Sequence, residues 1–210
     1  MATRGVWGIG DSLVPIALAA FHRAHQPKDR SLECELKFRV PGPDDHERLE
    51  QVLRELVAEF EGTYDEENLR FNGPGKSTRQ TSLRLRLLNG GPTGVLTAKG
   101  PATFVRGMKI REETEVAVDD AHAMLDMLEA LGFAVAFSYR KHRATWLLDG
   151  AAVTLDTLDA GWFVEVEGSS ETIEDSARKL GLDPKEAVKD SYSAIAKRHL
   201  DALKKKSRRR

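Results

Sequence analysis

The chain has 210 residues, 40% hydrophobic and 31% charged, with 32 Lys and Arg against 33 Asp and Glu. That length suits one generous domain or at most two small ones, and a net charge of −1 excludes a general polyanion-binding surface, so no specific nucleic-acid partner is expected. A single cysteine excludes an internal disulfide and a cysteine-based zinc site, which implies a reducing, cytoplasmic setting. No apolar run reaches the length of a membrane span.

Residues 1–30 read as an N-terminal arm, partly disordered or folded as a short helix on the domain. Arg4 ahead of Leu13 to Phe21 loosely imitates a secretory signal, but Asp11 and Pro15 interrupt it, while Arg4, Ser12 and Arg23 give a faint organelle-targeting flavour. Ser31 to Val40 is the first strand. Alternation puts Glu33, Glu35, Lys37 and Arg39 on one face and Leu32, Cys34, Leu36, Phe38 and Val40 on the other. Pro41-Gly42-Pro43 ends it. Asp44, with Glu47 three residues on, predicts a capped helix over Asp45 to Phe60. Gly62 to Gly75 is less regular and includes a strand.

Thr81 to Leu88 alternates cleanly, with Arg84 and Arg86 opposite Leu83, Leu85 and Leu87. Asn89-Gly90-Gly91 is a hairpin signal into Gly94 to Lys99. Gly107 to Val118 carries Lys109, Arg111, Glu113 and Glu115 on one face. A helix capped by Asp119 or Asp120 follows, with Met124, Leu125, Leu128 and Leu131 inward and Gly132 as its stop. Phe137 to Leu148 pairs Lys141 with Arg143 on one face and turns His142 to the other, where it reads as packing. Asp149-Gly150 turns into Ala152 to Thr157 with Asp156, and Trp162 to Glu167 aligns Glu165 with Glu167. Trp146 and Trp162 read as packing residues. A short helix spans Thr172 to Leu180. Asp183-Pro184 then predicts the start of a long amphipathic helix through Val188, Tyr192, Ile195, His199 and Leu203, with Tyr192 and His199 on its core-facing stripe. Residues 31–203 thus form one domain, and Lys204 to Arg210 a basic, disordered tail.

Several strands therefore concentrate charge on one face. Strands that are apolar on one side and ionic on the other can wrap into a closed barrel with a polar lumen, part-covered outside by helices. Burying so many charges unpaired is prohibitive, so the lumen must be wet, internally paired or completed by a ligand. Arg and Lys suit phosphate oxygens, and the two Glu-x-Glu pairs, at opposite ends of the domain sequence, are hard donors suited to magnesium or manganese. A polyphosphate clamped by cations and bridged to metal fits both.

Glu33-Cys34-Glu35-Leu36-Lys37 resembles the Glu-x-Glu-x-Lys signature of the CYTH, or triphosphate tunnel metalloenzyme, superfamily. Leu83 to Arg86, Leu96 to Gly100, Arg111 to Glu115, Lys141-His142-Arg143, Phe163 to Glu167 and Ser191-Tyr192 follow in that family's order over about residues 31–200. The resemblance implies an α+β fold: an eight-stranded antiparallel β-barrel with helices outside, binding a triphosphate compound with Mg²⁺ or Mn²⁺, as a monomer or homodimer. By the same analogy Glu33, Glu35, Glu165 and Glu167 would hold metal, with Glu113, Glu115 and Asp156 assisting. Lys37, Arg84, Arg86, Lys99, Arg111, Lys141 and Arg143 would contact phosphates, Lys37, Arg84 and Arg111 acting in catalysis.

The superfamily includes class IV adenylate cyclases, thiamine triphosphatases and inorganic triphosphatases, so the fold leaves the reaction open. Hydrolysis of a triphosphate is the expected activity. Cyclisation of ATP to cyclic AMP and pyrophosphate is the alternative, and a non-catalytic polyphosphate or nucleotide sensor a second one. Class IV cyclases resemble one another in a His-Phe pair upstream of Glu-x-Glu-x-Lys; here His25 is followed by Gln26.

Overall fold

A computed structural model describes residues 31–75 and 81–207; the arm of residues 1–30, with His25 and Gln26, lies outside the described residues. The strands are β1 (Ser31–Val40), β2 (Glu59–Asn72), β3 (Ser82–Leu88), β4 (Gly94–Lys99), β5 (Thr103–Val105), β6 (Met108–Val118), β7 (Ala134–Leu148), β8 (Ala151–Leu158) and β9 (Gly161–Glu167). The helices are α1 (Pro43–Glu55), α2 (Ala121–Ala130), α3 (Ser170–Lys179) and α4 (Tyr192–Ser207). All pairings are antiparallel, in the order β1-β9-β8-β7-β2-β3-β4-β6, and β6 pairs with β1 to close an eight-stranded barrel. The short β5 only folds back on β6.

Turn chemistry sets the registers. Asn89-Gly90 and Asp149-Gly150 both take positive φ at two successive positions, the backbone of a tight hairpin that suits right-handed strand twist. β2 is irregular for a reason visible in its pairing with β7: the register shifts between Phe60 and Gly62, where Gly62 has φ +136.

The apolar faces point outward, under the helices. Leu36, Phe38, Trp146, Val153, Leu155, Val164 and Val166 pack with Leu49 and Leu53 of α1 and Ile173 and Ala177 of α3. A second cluster sets Phe71, Leu85 and Leu87 against Leu128 of α2. Trp146 and Trp162 are both outer-face packing residues, as expected.

Five local expectations are corrected. α1 starts at Pro43 behind Gly42, whose N–H donates to the Asp45 carboxylate, so Asp44 is not the cap. It also stops at Glu55 instead of Phe60: Val57 turns at φ 57, and β2 then carries Phe60 onto Trp146, ring centroids 4.7 Å apart. Asp120 caps the start of α2, its carboxylate accepting from the Ala123 N–H, but α2 ends at Ala130, and Leu131 at its C-cap is exposed instead of packed inward. Asp183-Pro184 opens only a short 3-10 turn, Pro184–Glu186. The Val188 N–H donates to the Lys37 carbonyl at 2.6 Å, which holds that segment extended along β1, and α4 begins at Tyr192. α4 runs to Ser207, so Lys204 to Lys206 of the basic run are helical. Among the described residues no helix is long and apolar enough to cross a membrane.

Candidate active site

The inward faces enclose a tunnel of about 670 Å³, lined by Glu33, Glu35, Lys37, Arg84, Arg86, Lys99, Arg111, Glu113, Glu115, Lys141, Arg143, Glu165 and Glu167. The closed barrel thus brings together thirteen of the fourteen residues that the sequence singled out. Asp156 shares the inward face of β8 but is wholly buried beneath Arg143 and Tyr192. His142 faces out, as alternation required, but it is exposed and hydrogen-bonded to Asp65 at 2.8 Å rather than packed.

The charges are matched pair by pair. Lys37 Nζ lies 2.9 Å from Glu165 and 3.5 Å from Glu35, and Lys109 Nζ donates to Glu35 at 2.8 Å. Lys99 Nζ bridges Glu33 at 2.8 Å and Glu113 at 2.6 Å, while Arg111 Nε donates to Glu33 at 2.7 Å. Arg143 forks onto both Asp156 oxygens at 2.7 Å and reaches Glu165 at 2.6 Å. Lys141 lies between Glu66 (3.1 Å) and Asp156 (3.4 Å). Such pairs offset the cost of desolvation only with well-aligned geometry, and the bidentate fork on Asp156 has it.

Three residues that sequence reasoning left out stand among these. Glu66 is buried on β2, beside Arg86 at 3.4 Å and Lys141. Tyr192 was assigned to core packing, yet its hydroxyl donates to Asp156 at 2.6 Å and its ring carries Lys37 Nζ 4.3 Å from the centroid. It reaches this position because α4 begins over one mouth, where Lys37 also donates to the Asp190 carbonyl. Arg70 lines the tunnel on β2 opposite Arg84. The signal for Glu66 was weak: Asp65-Glu66-Glu67 is acidic throughout, so no alternation marks which side chain points in.

Electrostatics divide the carboxylates. Burial, the hydrogen bond with Glu33 and the charges of Glu33 and Glu115 push Glu113 up to about 9, against the pull of Lys99. Its partner Glu33 goes the other way: Lys99 and Arg111 outweigh burial and hold it well below the usual range. Glu167, directly across from Glu35 on β1, rises to about 7 through burial and the charges of Glu33, Glu35 and Glu165. Burial, with Arg143 beside it, lowers Lys141 to about 8.

As the side chains stand, no three His, Cys, Asp or Glu among the described residues converge to hold a metal ion. The donor chemistry nevertheless fits a hard divalent cation. Glu33, Glu35, Glu113 and Glu167 are oxygen donors crowded enough that Glu113 and Glu167 are pushed toward protonation, and a bound cation would favour their ionised forms.

The CYTH domain matches residues 31–192. The chain belongs to the CYTH family. A Methanocaldococcus jannaschii protein provisionally named adenylate cyclase is 28% identical over 150 residues, 71% of this chain and 83% of its own. Among solved structures, the PH1012 protein of Pyrococcus horikoshii is 26% identical, with a TM-score of 0.65 over 78% of this chain and 98% of that one. A Hippeastrum protein named for adenylyl cyclase, and found to have a dominant triphosphatase activity, shares the fold at 19% identity, with a TM-score of 0.60 over 78% of this chain and 94% of that one. CYTH membership accounts for the barrel and for the order of charged motifs along it.

Proposed function

We propose that this CYTH protein is a divalent-metal-dependent triphosphatase that holds its substrate, inorganic tripolyphosphate or a nucleoside or thiamine triphosphate, inside the tunnel. The observation that carries this reading is a lumen lined by Lys37, Arg84, Arg86, Lys99, Arg111, Lys141 and Arg143, with the Glu33, Glu35 and Glu167 carboxylates grouped on one wall. Phosphoryl transfer asks chiefly for positioning and charge neutralisation, and such a lumen supplies both.

Substrate oxygens replace the carboxylates on the cations. Lys99 and Arg111 leave Glu33, which is released at the moment the polyanion arrives, and Lys37 turns from Glu165 and Glu35 while Lys109 keeps its hold on Glu35. Magnesium or manganese, held by Glu33, Glu35 and Glu167 with Glu113 assisting, would neutralise charge on the phosphates and lower the pKa of a bound water. Arg84 and Arg111, which stay protonated, stabilise charge developing on the transferred group, and Lys37 supports them from β1. Asp156, tied to Arg143 and to Tyr192, serves to position that guanidinium. No nucleic acid or membrane enters this reading.

Cyclisation of ATP uses the same cations but needs a seat for the base and a ribose hydroxyl aimed at the α-phosphorus. The name of the Methanocaldococcus jannaschii relative favours it. The fold itself admits hydrolysis, as the Hippeastrum protein illustrates. A product assay decides. With magnesium or manganese, tripolyphosphate, ATP and thiamine triphosphate should each be tested, and orthophosphate release from at least one, without cyclic AMP, is expected. Cyclic AMP and pyrophosphate from ATP would instead make it a cyclase, and binding without turnover a sensor. Glu33→Gln, which keeps size but removes an anionic ligand, should abolish turnover with the fold retained.

A further inference from the structure

Arg70 is the exception in the tunnel's charge pairing. Among the described residues, each other lumen-facing Lys or Arg has a carboxylate within 4 Å, whereas Arg70 has none. Its Nε is buried without a hydrogen-bond partner. It stands directly across from Arg84, whose Nε is also without one, and next along β2 the Asn68 Oδ1 is likewise unmet. Like charges directly opposite on paired strands repel, and a buried cation with no partner costs stability. Burial and the charges of Arg84 and Arg111 accordingly press its guanidinium below the usual value, with only the Tyr139 phenol opposing them.

Strand register says where along the tunnel this happens. The row Glu115–Thr97–Arg84–Arg70–Phe137 crosses β6, β4, β3, β2 and β7. Continued onto β8 it leaves the barrel, because β7–β8 pairing begins only at His142 and Thr157. Each step from Glu115 to Phe137 therefore moves toward the mouth that α4 borders, and Arg70 lies nearer that mouth than Arg84 does.

We propose that Arg70 is an added anion subsite that takes a phosphoryl group beyond the triphosphate, so that the tunnel prefers linear polyphosphates of four or more residues over tripolyphosphate. The proposal rests on the triphosphate reading above and assigns the mouth end of that site. An unpaired guanidinium at this level is unfavourable in the empty protein and becomes favourable when an anion reaches it.

Calorimetric titration of the full chain with tripolyphosphate and tetrapolyphosphate, in magnesium, tests it. Wild type should bind tetrapolyphosphate at least about tenfold more tightly, and Arg70→Met should erase that preference while changing tripolyphosphate affinity less than about threefold. The empty Arg70→Met protein should also melt higher than wild type, since the repulsion with Arg84 is gone, an effect a merely structural arginine would not give. Equal affinities for the two anions in wild type, or equal weakening of both by Arg70→Met, overturns the subsite. Failure of wild type to bind either anion instead removes the triphosphate reading, and the subsite with it.

Discussion

Two walls of the tunnel treat charge differently. On the β7–β8–β9 side, Arg143 is forked onto Asp156 and reaches Glu165, and Tyr192 closes the remaining Asp156 contact. On the β2–β3 side, Arg70, Arg84 and Arg86 keep Nε atoms that make no hydrogen bond, and the nearest acids stand at 3.4 to 3.5 Å from Arg86 and Arg84. One wall is finished without a ligand, the other is not. A charge with all its partners contributes to holding the fold, and a charge with unmet donors contributes to holding something else.

The sharpest way to break this contrast is at Asp156. Asp156→Ala leaves the Arg143 guanidinium buried with one acid fewer, and should cost about 3–5 kcal/mol of stability, read by chemical denaturation. A loss below about 1 kcal/mol would mean that this wall is as open as the other. Next is Arg84→Ala, expected to lower kcat/KM roughly two to three orders of magnitude through loss of a transition-state contact, while the fold survives by circular dichroism. Leu85→Arg, one residue along but buried on the outer face under α2, should damage folding itself. If the two phenotypes are exchanged, the facing of β3 is wrong. The smallest effect is that of ligand on the intact protein. Tripolyphosphate at a hundredfold excess over Kd should add about 2.7 kcal/mol of stability, and sulfate at equal ionic strength much less, since it cannot span the guanidinium row. Equal shifts in Tm would deny that row its ligand.

Each wall was legible in the sequence only in part. Glu165 and Glu167 on the finished wall announce their face because Val164 and Val166 alternate with them, and so do Arg84 and Arg86 on the other wall, set between Leu83, Leu85 and Leu87. On β2 three successive acids and a bulge at Gly62 hid Glu66, whereas Arg70 does alternate with Leu69 and Phe71, but over a run too short and too close to Gly73-Pro74-Gly75 to mark a lumen face. Tyr192 was hidden differently. Helical spacing shows that it faces inward but not that its ring tops a charged lumen, which depends on α4 docking across a barrel mouth. The start of α4 misled for a related reason: Asp183-Pro184 is a sound local cap, and the backbone bond from Val188 to Lys37 overrides it.

The closure of the barrel also has a kinetic side. β1 begins the described chain, yet one of its flanks is completed by β9, with Leu36 opposite Val166 and Lys37 opposite Glu165. At about 5–20 residues per second of synthesis, roughly 6 to 26 seconds separate the emergence of these two strands from the ribosome. Through that interval β1 can pair with β6 on one flank only, and its other flank stays an open strand edge carrying Leu36 and Phe38. Pairings so distant in sequence are also slow to form once the chain is complete. The nascent protein therefore passes through a stage in which a sticky, half-charged sheet waits for its last strand, and growth conditions that crowd or stall ribosomes should lower its soluble yield before they touch the folded protein.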